Sequence, residues 1–187
     1  LVAAGREITA ITNDLNIAMH LSRGTEIRTI VPGGTVRSHS FTLLGGPGTE
    51  LIERMHVDIA LMGAHSLADG VLSDSSLEVV RSKQAMLRAS DRCFVLADAS
   101  KFQARRSFMT IAPLSDVHVL VSDDGLGNEW TRAVEEAGVF HGYLEARKRH
   151  PQAWHLAVLE VQPNNTAALA AKRRAEGGSE RDDGSVS

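Results

Sequence analysis

The chain has 187 residues, of which 43% are hydrophobic and 23% are charged, values typical of one globular domain or slightly more. Its formal net charge of -3 excludes a polycation that coats nucleic acid along its whole length. The single cysteine excludes an internal disulfide framework and favours a reducing compartment, so we expect a cytoplasmic protein. No apolar stretch reaches the roughly 18 residues of a membrane-spanning helix, and no membrane partner is expected.

Five short apolar runs each end at a cluster of small or polar residues. The runs are Ile8 to Ile11, Ile27 to Val31, Ile59 to Met62, Cys93 to Ala97 and Val117 to Val121. Runs of this length with little alternation predict strands buried on both faces, as in parallel sheets. Ligands of such sheets bind beyond the carboxyl ends of the strands, so the pattern predicts a small-molecule pocket. Cys93 lies inside the fourth run, which predicts a buried and inert thiol.

Helical signals alternate with these runs. The first predicted helix begins at Asn13 or Asp14 and closes at Gly24, and the second begins at Pro47 and Thr49 and carries Leu51, Ile52 and Met55. The third begins at the capping box Ser75-Ser76-Leu77-Glu78 and runs to Ser90. The fourth extends from Glu129 to Ala137. The third helix is expected to bury Leu77, Val80 and Leu87. This alternation predicts an α/β fold, a mostly parallel sheet with helices on both faces. A last strand at Val139-Phe140 is expected to be irregular.

The two ends of the chain differ from the middle. Leu1 to Ala4 resemble the end of a helix, so we expect that an N-terminal portion precedes this sequence. Residues 142–187 form a divergent segment with the basic triplets Arg147-Lys148-Arg149 and Lys172-Arg173-Arg174. These triplets could contact nucleic acid, but a solvated surface is the more common explanation. An alanine-rich helix over 164–176 and disorder over 176–187 are expected.

Asn13 and the pair Gly33-Gly34 are the first candidate ligand-binding residues. Asn13 directly follows a predicted strand, where its amide could bind a sugar hydroxyl or cap the next helix. Gly33-Gly34 and Thr35 offer backbone N–H groups to an anion, with Arg37 as a bidentate partner for phosphate. The alternative for the glycine pair is an ordinary turn.

Charged residues later in the chain are the next candidates. Lys83 could offer its ammonium to an anionic ligand or be an exposed helix lysine. Asp98 and Lys101 flank the loop after the fourth strand, where a structural role in the turn is slightly favoured over ligand binding. Asp123-Asp124-Gly125 is better explained as a turn than as a metal site, because no His or Cys lies nearby. We expect no metal and no cofactor.

Seven short motifs, taken together, carry a resemblance to a known family. They are Ile11-Thr12-Asn13, Val31 to Arg37, His56 to Ala64, Lys83 to Met86, Leu96 to Phe102, Pro113 to Asp116 and Val121 to Gly125. In this order and spacing they resemble the C-terminal sensor domain of DeoR-type bacterial transcriptional regulators, over roughly residues 1–141.

The resemblance implies a fold similar to that of ribose-phosphate isomerase and a phosphorylated sugar or related metabolite as the effector. It implies that operator DNA is bound by an N-terminal winged helix-turn-helix, and that this domain and the sensor's first strand with its phosphate-binding loop are missing from the chain. The residues expected to bind the ligand are Thr12, Asn13, Gly33, Gly34, Arg37, His65, Lys83, Asp98 and Lys101. His65 departs from the family pattern, which more often has an aspartate after Gly-Ala, a residue that belongs to the catalytic apparatus of the related isomerases.

Two functions fit this scaffold, a regulatory effector sensor and a sugar-phosphate isomerase or deaminase. The enzyme needs a general base near the labile proton. Asp69, Asp74 and Glu78 are the acids close after the third predicted strand, and their arrangement is not compelling. We therefore favour the sensor and expect no enzymatic activity. Sensors of this kind usually self-associate, so a homo-oligomer is expected.

Overall fold

The computed structural model of the chain describes residues 8–24, 27–103 and 105–143. The strands are β1 (Ile8–Ile11), β2 (Ile27–Ile30), β3 (Thr35–Arg37), β4 (Thr42–Leu44), β5 (Val57–Gly63), β6 (Ser66–Ala68), β7 (Val71–Asp74), β8 (Ser90–Leu96), β9 (Met109–Pro113), β10 (Val119–Ser122) and β11 (Phe140–Tyr143). The helices are α1 (Leu15–Leu21), α2 (Gly46–Glu53), α3 (Leu77–Arg88), α4 (Ser100–Gln103) and α5 (Asn128–Glu136), with a 3-10 turn at Leu114–Asp116.

The largest sheet among the described residues is entirely parallel. Four parallel strands lie in the order β11-β10-β8-β5, and β1 and β2 form a second parallel pair. The predicted α/β class is confirmed, and the five apolar runs correspond to β1, β2, β5, β8 and β10. Two antiparallel units, the hairpin β3–β4 and the sheet β6-β7-β9, were not predicted.

One large core lies against the parallel sheet. It combines sheet residues such as Met62, Val95 and Leu120 with Val80 of α3 and Val134 of α5, and the small antiparallel sheet adds further apolar side chains. Cys93 is fully buried in this core, as predicted. The core therefore fixes the two long helices over one face of the sheet.

The expectation that every strand is buried on both faces is wrong for β5. Ala60 and Met62 point into the core, whereas Ile59 and Leu61 alternate with them and are exposed. Because side chains of a strand point alternately to opposite faces, only one face of β5 is covered within the described residues.

The predicted helices are confirmed, with corrections at their ends. The side chain of Asp14 accepts the N–H of Ile17 and caps α1, so of the two predicted caps Asp14 takes this role. α2 ends at Glu53, before Met55. α5 lies within one residue of its predicted ends, and Gly138 follows it with φ +73°.

The capping box predicted for α3 does not form. Ser76 is the N-cap residue, but its side chain accepts no hydrogen bond from the helix. Instead, Asp74 accepts the N–H groups of Ser75 and Ser76. Leu77 is exposed rather than buried, and α3 ends at Arg88, so that Ser90 begins β8.

The end of the described region is regular. β11 pairs with β10 over four consecutive residues, so the expected irregular edge is wrong. No helix among the described residues is long and apolar enough to cross a membrane. The expectations for the first four residues, the basic triplets, the alanine-rich helix and the disordered end fall outside the described residues.

Candidate functional site

Asn13 joins three elements beyond the carboxyl end of β1. Its side-chain Nδ2 donates to the carbonyl of Leu43 at 3.2 Å and to Ser82 Oγ at 3.4 Å. Its backbone carbonyl accepts the N–H of Leu43 at 2.7 Å. Asn13 therefore ties the end of β1 to β4 and to the middle of α3, next to Lys83.

The Gly33-Gly34 loop packs closely against the start of α2. Both glycines have positive φ, +89° and +125°. A Cβ on Gly34 would lie 2.6 Å from the carbonyl oxygen of Leu44, and one on Gly48 would lie 2.3 Å from that of Gly33. Only glycine allows this approach, so the glycines are required for packing of the loop against the start of α2 as well as for the turn.

The N-terminus of α2 adds backbone donors beside that loop. Among the described residues no side chain caps it, and its first turn carries no acidic residue. Orphan N–H groups at a helix start, with the positive end of the helix dipole, favour anions. The run Gly45-Gly46-Pro47-Gly48 is the sequence signal of this feature, whereas the pattern at Pro47 and Thr49 predicts only a helix start.

Lys83 lies on α3 and is paired with Asp74. Its Nζ is 3.2 Å from Asp74 Oδ2, and the exposed fractions of the two side chains are 18% and 10%. Oδ1 of Asp74 accepts the N–H of Ser75 at 2.8 Å and of Ser76 at 3.2 Å. Burial alone would raise the pKa of Asp74, but the Lys83 ammonium and these N–H donors together hold that pKa below its usual value. Lys83 is thus neither a free point charge nor an exposed helix lysine.

Three further predicted residues make other contacts or are exposed. Thr12 Oγ1 accepts the N–H of Asp14 at 3.1 Å. Arg37 is exposed on the β3–β4 hairpin. His65 is exposed two residues after β5. Among the described residues, none of these three side chains forms a hydrogen bond or ion pair with Lys83.

Asp98 and Lys101 follow β8, the neighbour of β5 in the sheet. Asp98 Oδ1 accepts the N–H of Ser100 at 2.9 Å and also its hydroxyl. These bonds from Ser100, chiefly the hydroxyl, outweigh burial and, with the nearby Lys101 charge, lower the pKa of Asp98. Asp98 therefore shapes the turn, and its carboxylate lies at the same edge of the sheet as His65.

Asp123 also has a turn role, as the sequence indicated. Its Oδ1 accepts the N–H of Ala99 at 3.1 Å and links the loops after β8 and β10. Within residues 8–24, 27–103 and 105–143, no group of three or more His, Cys, Asp or Glu side chains could hold a metal ion.

An apolar cavity of about 180 Å³ lies elsewhere, between the small antiparallel sheet and α5. None of the residues predicted to bind the ligand lines it. Asn13, Gly34 and Lys83 therefore lie outside this cavity.

Comparison with known proteins identifies the family. The profile of the DeoR C-terminal sensor domain matches residues 2–124. The chain belongs to the DeoR C-terminal sensor domain family. The motifs that carry the resemblance in the sequence lie within or at the end of the matched range.

Several curated relatives are similar to this sensor domain. An uncharacterized HTH-type transcriptional regulator of Bacillus subtilis, YulB, is 31% identical over 134 residues, which cover 71% of this chain and 52% of the relative. The HTH-type transcriptional regulator GlpR of Haloferax volcanii is 28% identical over 134 residues, 71% of this chain and 51% of the relative. The glycerol-3-phosphate regulon repressor of Escherichia coli is 28% identical over 114 residues, 60% of this chain and 45% of the relative. The chain spans about half the length of these relatives.

Proposed function

We propose that this domain binds a phosphorylated sugar or related phosphorylated metabolite at the rim formed by Asn13, the Gly33-Gly34 loop and Lys83. The observation that carries the proposal is the position of the Asn13 amide between Leu43 and Ser82. It connects the glycine loop, through β4, with the helix that carries Lys83. An amide, backbone N–H groups and an ammonium suit the hydroxyls and the dianionic phosphate of such a ligand.

The other predicted residues complete the proposed ligand set. Thr12 and Arg37 lie on the elements that flank Asn13 and the glycine loop. His65, Asp98 and Lys101 follow the adjacent strands β5 and β8, where ligands of parallel sheets commonly bind. Their side chains would contact the sugar end of the ligand or close the loops over it.

In the complete regulator, we propose that effector binding controls a helix-turn-helix domain that binds operator DNA. The relatives named as transcriptional regulators support this proposal. A ligand shifts such an equilibrium only through different affinities for the DNA-competent and DNA-incompetent states. We further propose that residues 1–141 form the sensor, that residues 142–187 are an appended tail, and that the protein acts in the cytoplasm as a homo-oligomer.

Thermal unfolding with a panel of small molecules tests the proposal. The panel pairs sn-glycerol 3-phosphate, fructose 1-phosphate and glucosamine 6-phosphate with their unphosphorylated parents, and includes inorganic phosphate. A ligand at 100 times its Kd stabilises the folded state by about 2.7 kcal/mol, enough to raise Tm by several degrees. A rise in Tm with phosphorylated compounds alone supports the proposal. The absence of any rise in Tm with these compounds contradicts it.

A matched pair of variants tests whether the rise in Tm comes from binding at Lys83. K83Q removes the ammonium at the rim, and R88Q removes a charge from the last turn of the same helix, where Arg88 pairs with exposed Glu53. The stabilisation by phosphorylated compounds should be lost in K83Q and kept in R88Q. Equal stabilisation of both variants would mean that the anion binds elsewhere.

A sugar-phosphate isomerase or deaminase is less well supported. The buried acid Asp74 is engaged by Lys83 and two backbone N–H groups, which disfavours the protonation that a general base requires. The relatives are named as regulators. Turnover of a pentose or hexose phosphate by the purified chain would favour the enzyme.

A further inference from the structure

Phe108 is an exposed aromatic side chain held on an anchored loop. At 90% exposure it is the most exposed of the large hydrophobic residues that the structure describes. The loop is fixed beneath it by two fully buried serines: Ser66 Oγ donates to the carbonyl of Arg105 at 2.9 Å, and Ser73 Oγ accepts the N–H of Ser107 at 2.9 Å. An apolar group presented on a fixed loop loses little conformational entropy when it binds, so Phe108 is suited to insertion into a partner.

The apolar cavity of about 180 Å³ is large enough for a phenyl ring. Its walls include Leu67, Leu114, Trp130, Ala133 and Ala137, and Ala133 is exposed at its mouth. For comparison, an apolar cavity of about 150 Å³ takes up benzene. The ring of Trp130 lies 5.6 Å from that of Phe102, also in the wall, so an entering ring would meet aromatic surface.

Phe108 does not line the cavity of its own chain. Phe108 directly precedes β9, and Pro113, at the far end of β9, lines the cavity. Five residues of extended strand span about 16 Å. Because Phe108 is 90% exposed and the base of its loop is fixed by Ser66 and Ser73, the ring is presented to solvent, where another molecule can take it up.

Charges around the two features are complementary. Arg105 and Arg106 precede Phe108 and are exposed, and Arg106 Nη2 donates to Thr110 Oγ1 at 2.7 Å along β9. At the cavity, Glu129 and Glu136 lie one residue before the lining residues Trp130 and Ala137 and are exposed.

Other charges near the cavity follow the same pattern. Asp116 follows the lining residue Ser115 and is exposed. Arg132, the basic residue of α5, lies on the opposite side of the helix from the lining residues by helical periodicity. Lys101, which directly precedes the lining residue Phe102, is the basic exception. A basic rim around the aromatic ring thus faces a mainly acidic rim around the cavity.

We propose that two copies of this domain associate by inserting Phe108 of each into the apolar cavity of the other. The same chain carries both complementary features, which is the requirement for a two-fold, self-complementary interface. The occupant of the cavity is thus a second copy of this chain. This interface is separate from the rim around Asn13 and Lys83 and does not depend on the effector.

Sedimentation velocity of the full chain with two variants tests the interface. F108A removes the ring from a solvent-exposed position, and A133L blocks the mouth of the cavity. The dissociation constant of the dimer should be at least tenfold higher for each variant than for the unaltered chain. F41A, which removes another exposed phenylalanine, is the control and should associate like the unaltered chain. Circular dichroism and Tm establish that each variant is folded.

Mixing the two variants gives a sharper test. F108A keeps the cavity and A133L keeps the ring, so their mixture should form heterodimers although neither variant self-associates. The proposal is overturned if the unaltered chain is a monomer up to about 100 μM, if either variant associates as the unaltered chain does, or if the mixture stays monomeric.

Discussion

The Lys83 ammonium lies 3.2 Å from the Asp74 carboxylate, and the same carboxylate accepts the N–H groups of Ser75 and Ser76, which directly precede α3. Asp74 therefore anchors both the segment that leads into α3 and the ammonium of Lys83, the residue after Ser82, to which Asn13 donates. An anionic effector that uses Lys83 must compete with Asp74 for it. Within this pair the two charges compensate each other.

Removal of the Asp74 charge should strengthen phosphate binding. In D74N the amide oxygen can still accept the N–H groups of Ser75 and Ser76, while Lys83 loses its competing anion. We expect the Kd for the tightest phosphorylated compound of the panel to fall severalfold in isothermal titration calorimetry. D91N, which removes an exposed carboxylate paired with His56, should leave that Kd unchanged. A D74N variant that binds as weakly as the unaltered chain, or more weakly, would contradict the competition.

The same carboxylate should make the fold sensitive to acid. Because the pKa of Asp74 is lower in the folded chain than its usual value, its contribution to stability is present above that usual value and is lost as pH falls through the folded pKa. Urea unfolding at pH 7 and pH 3 measures this. D74N should be less stable than the unaltered chain at pH 7, by about 1–3 kcal/mol, and the difference should shrink at pH 3. An equal difference at both pH values would mean that the charge of Asp74 contributes nothing.

The close approach of the glycine loop to α2 should make two glycines irreplaceable. G34A and G48A each place a Cβ within 2.6 Å of a carbonyl oxygen, and Gly34 also has φ +125°. Both variants should lose about 2 kcal/mol or more of unfolding free energy. G46A is the matched control, because its Cβ would meet only the end of the Glu50 side chain at 3.7 Å, and its stability should be unchanged or slightly higher. Equal stabilities of all three variants in urea would contradict the packing.

Cys93 should be unreactive in the folded chain. Burial raises the pKa of its thiol to about 11, so at pH 8 only about one molecule in a thousand carries the thiolate. Reaction with a disulfide reagent should be slow at pH 8 and become fast in denaturant. Rapid stoichiometric labelling of the folded chain would show that β8 opens readily.

Local patterns predicted the parallel strands well, because a buried strand is a short apolar run wherever it occurs. The small antiparallel units were missed for the opposite reason. Thr35-Val36-Arg37 is exposed throughout, so β3 leaves no apolar pattern. The capping box failed because Asp74, one residue upstream of Ser75, accepts the backbone N–H of Ser75, which in a capping box would be accepted by Glu78.

In the candidate site, too, some residues could be recognised from local sequence and others could not. Asn13 and the glycines follow strand ends and could be recognised locally. The partner of Lys83 could not, because the pairing with Asp74 depends on how α3 packs beside β7. The contact between Gly33 and Gly48 likewise requires the β3–β4 hairpin to bring distant residues together.

Amide chemical shifts of the ¹⁵N-labelled chain test the central claim most directly. Titration with sn-glycerol 3-phosphate, fructose 1-phosphate and glucosamine 6-phosphate, each against its unphosphorylated parent, should give saturable shifts for at least one phosphorylated compound. Those shifts should centre on Asn13, Gly33, Gly34 and Lys83. Saturable shifts confined to other parts of the chain, or none with any phosphorylated compound, would contradict a phosphate-binding rim at these residues.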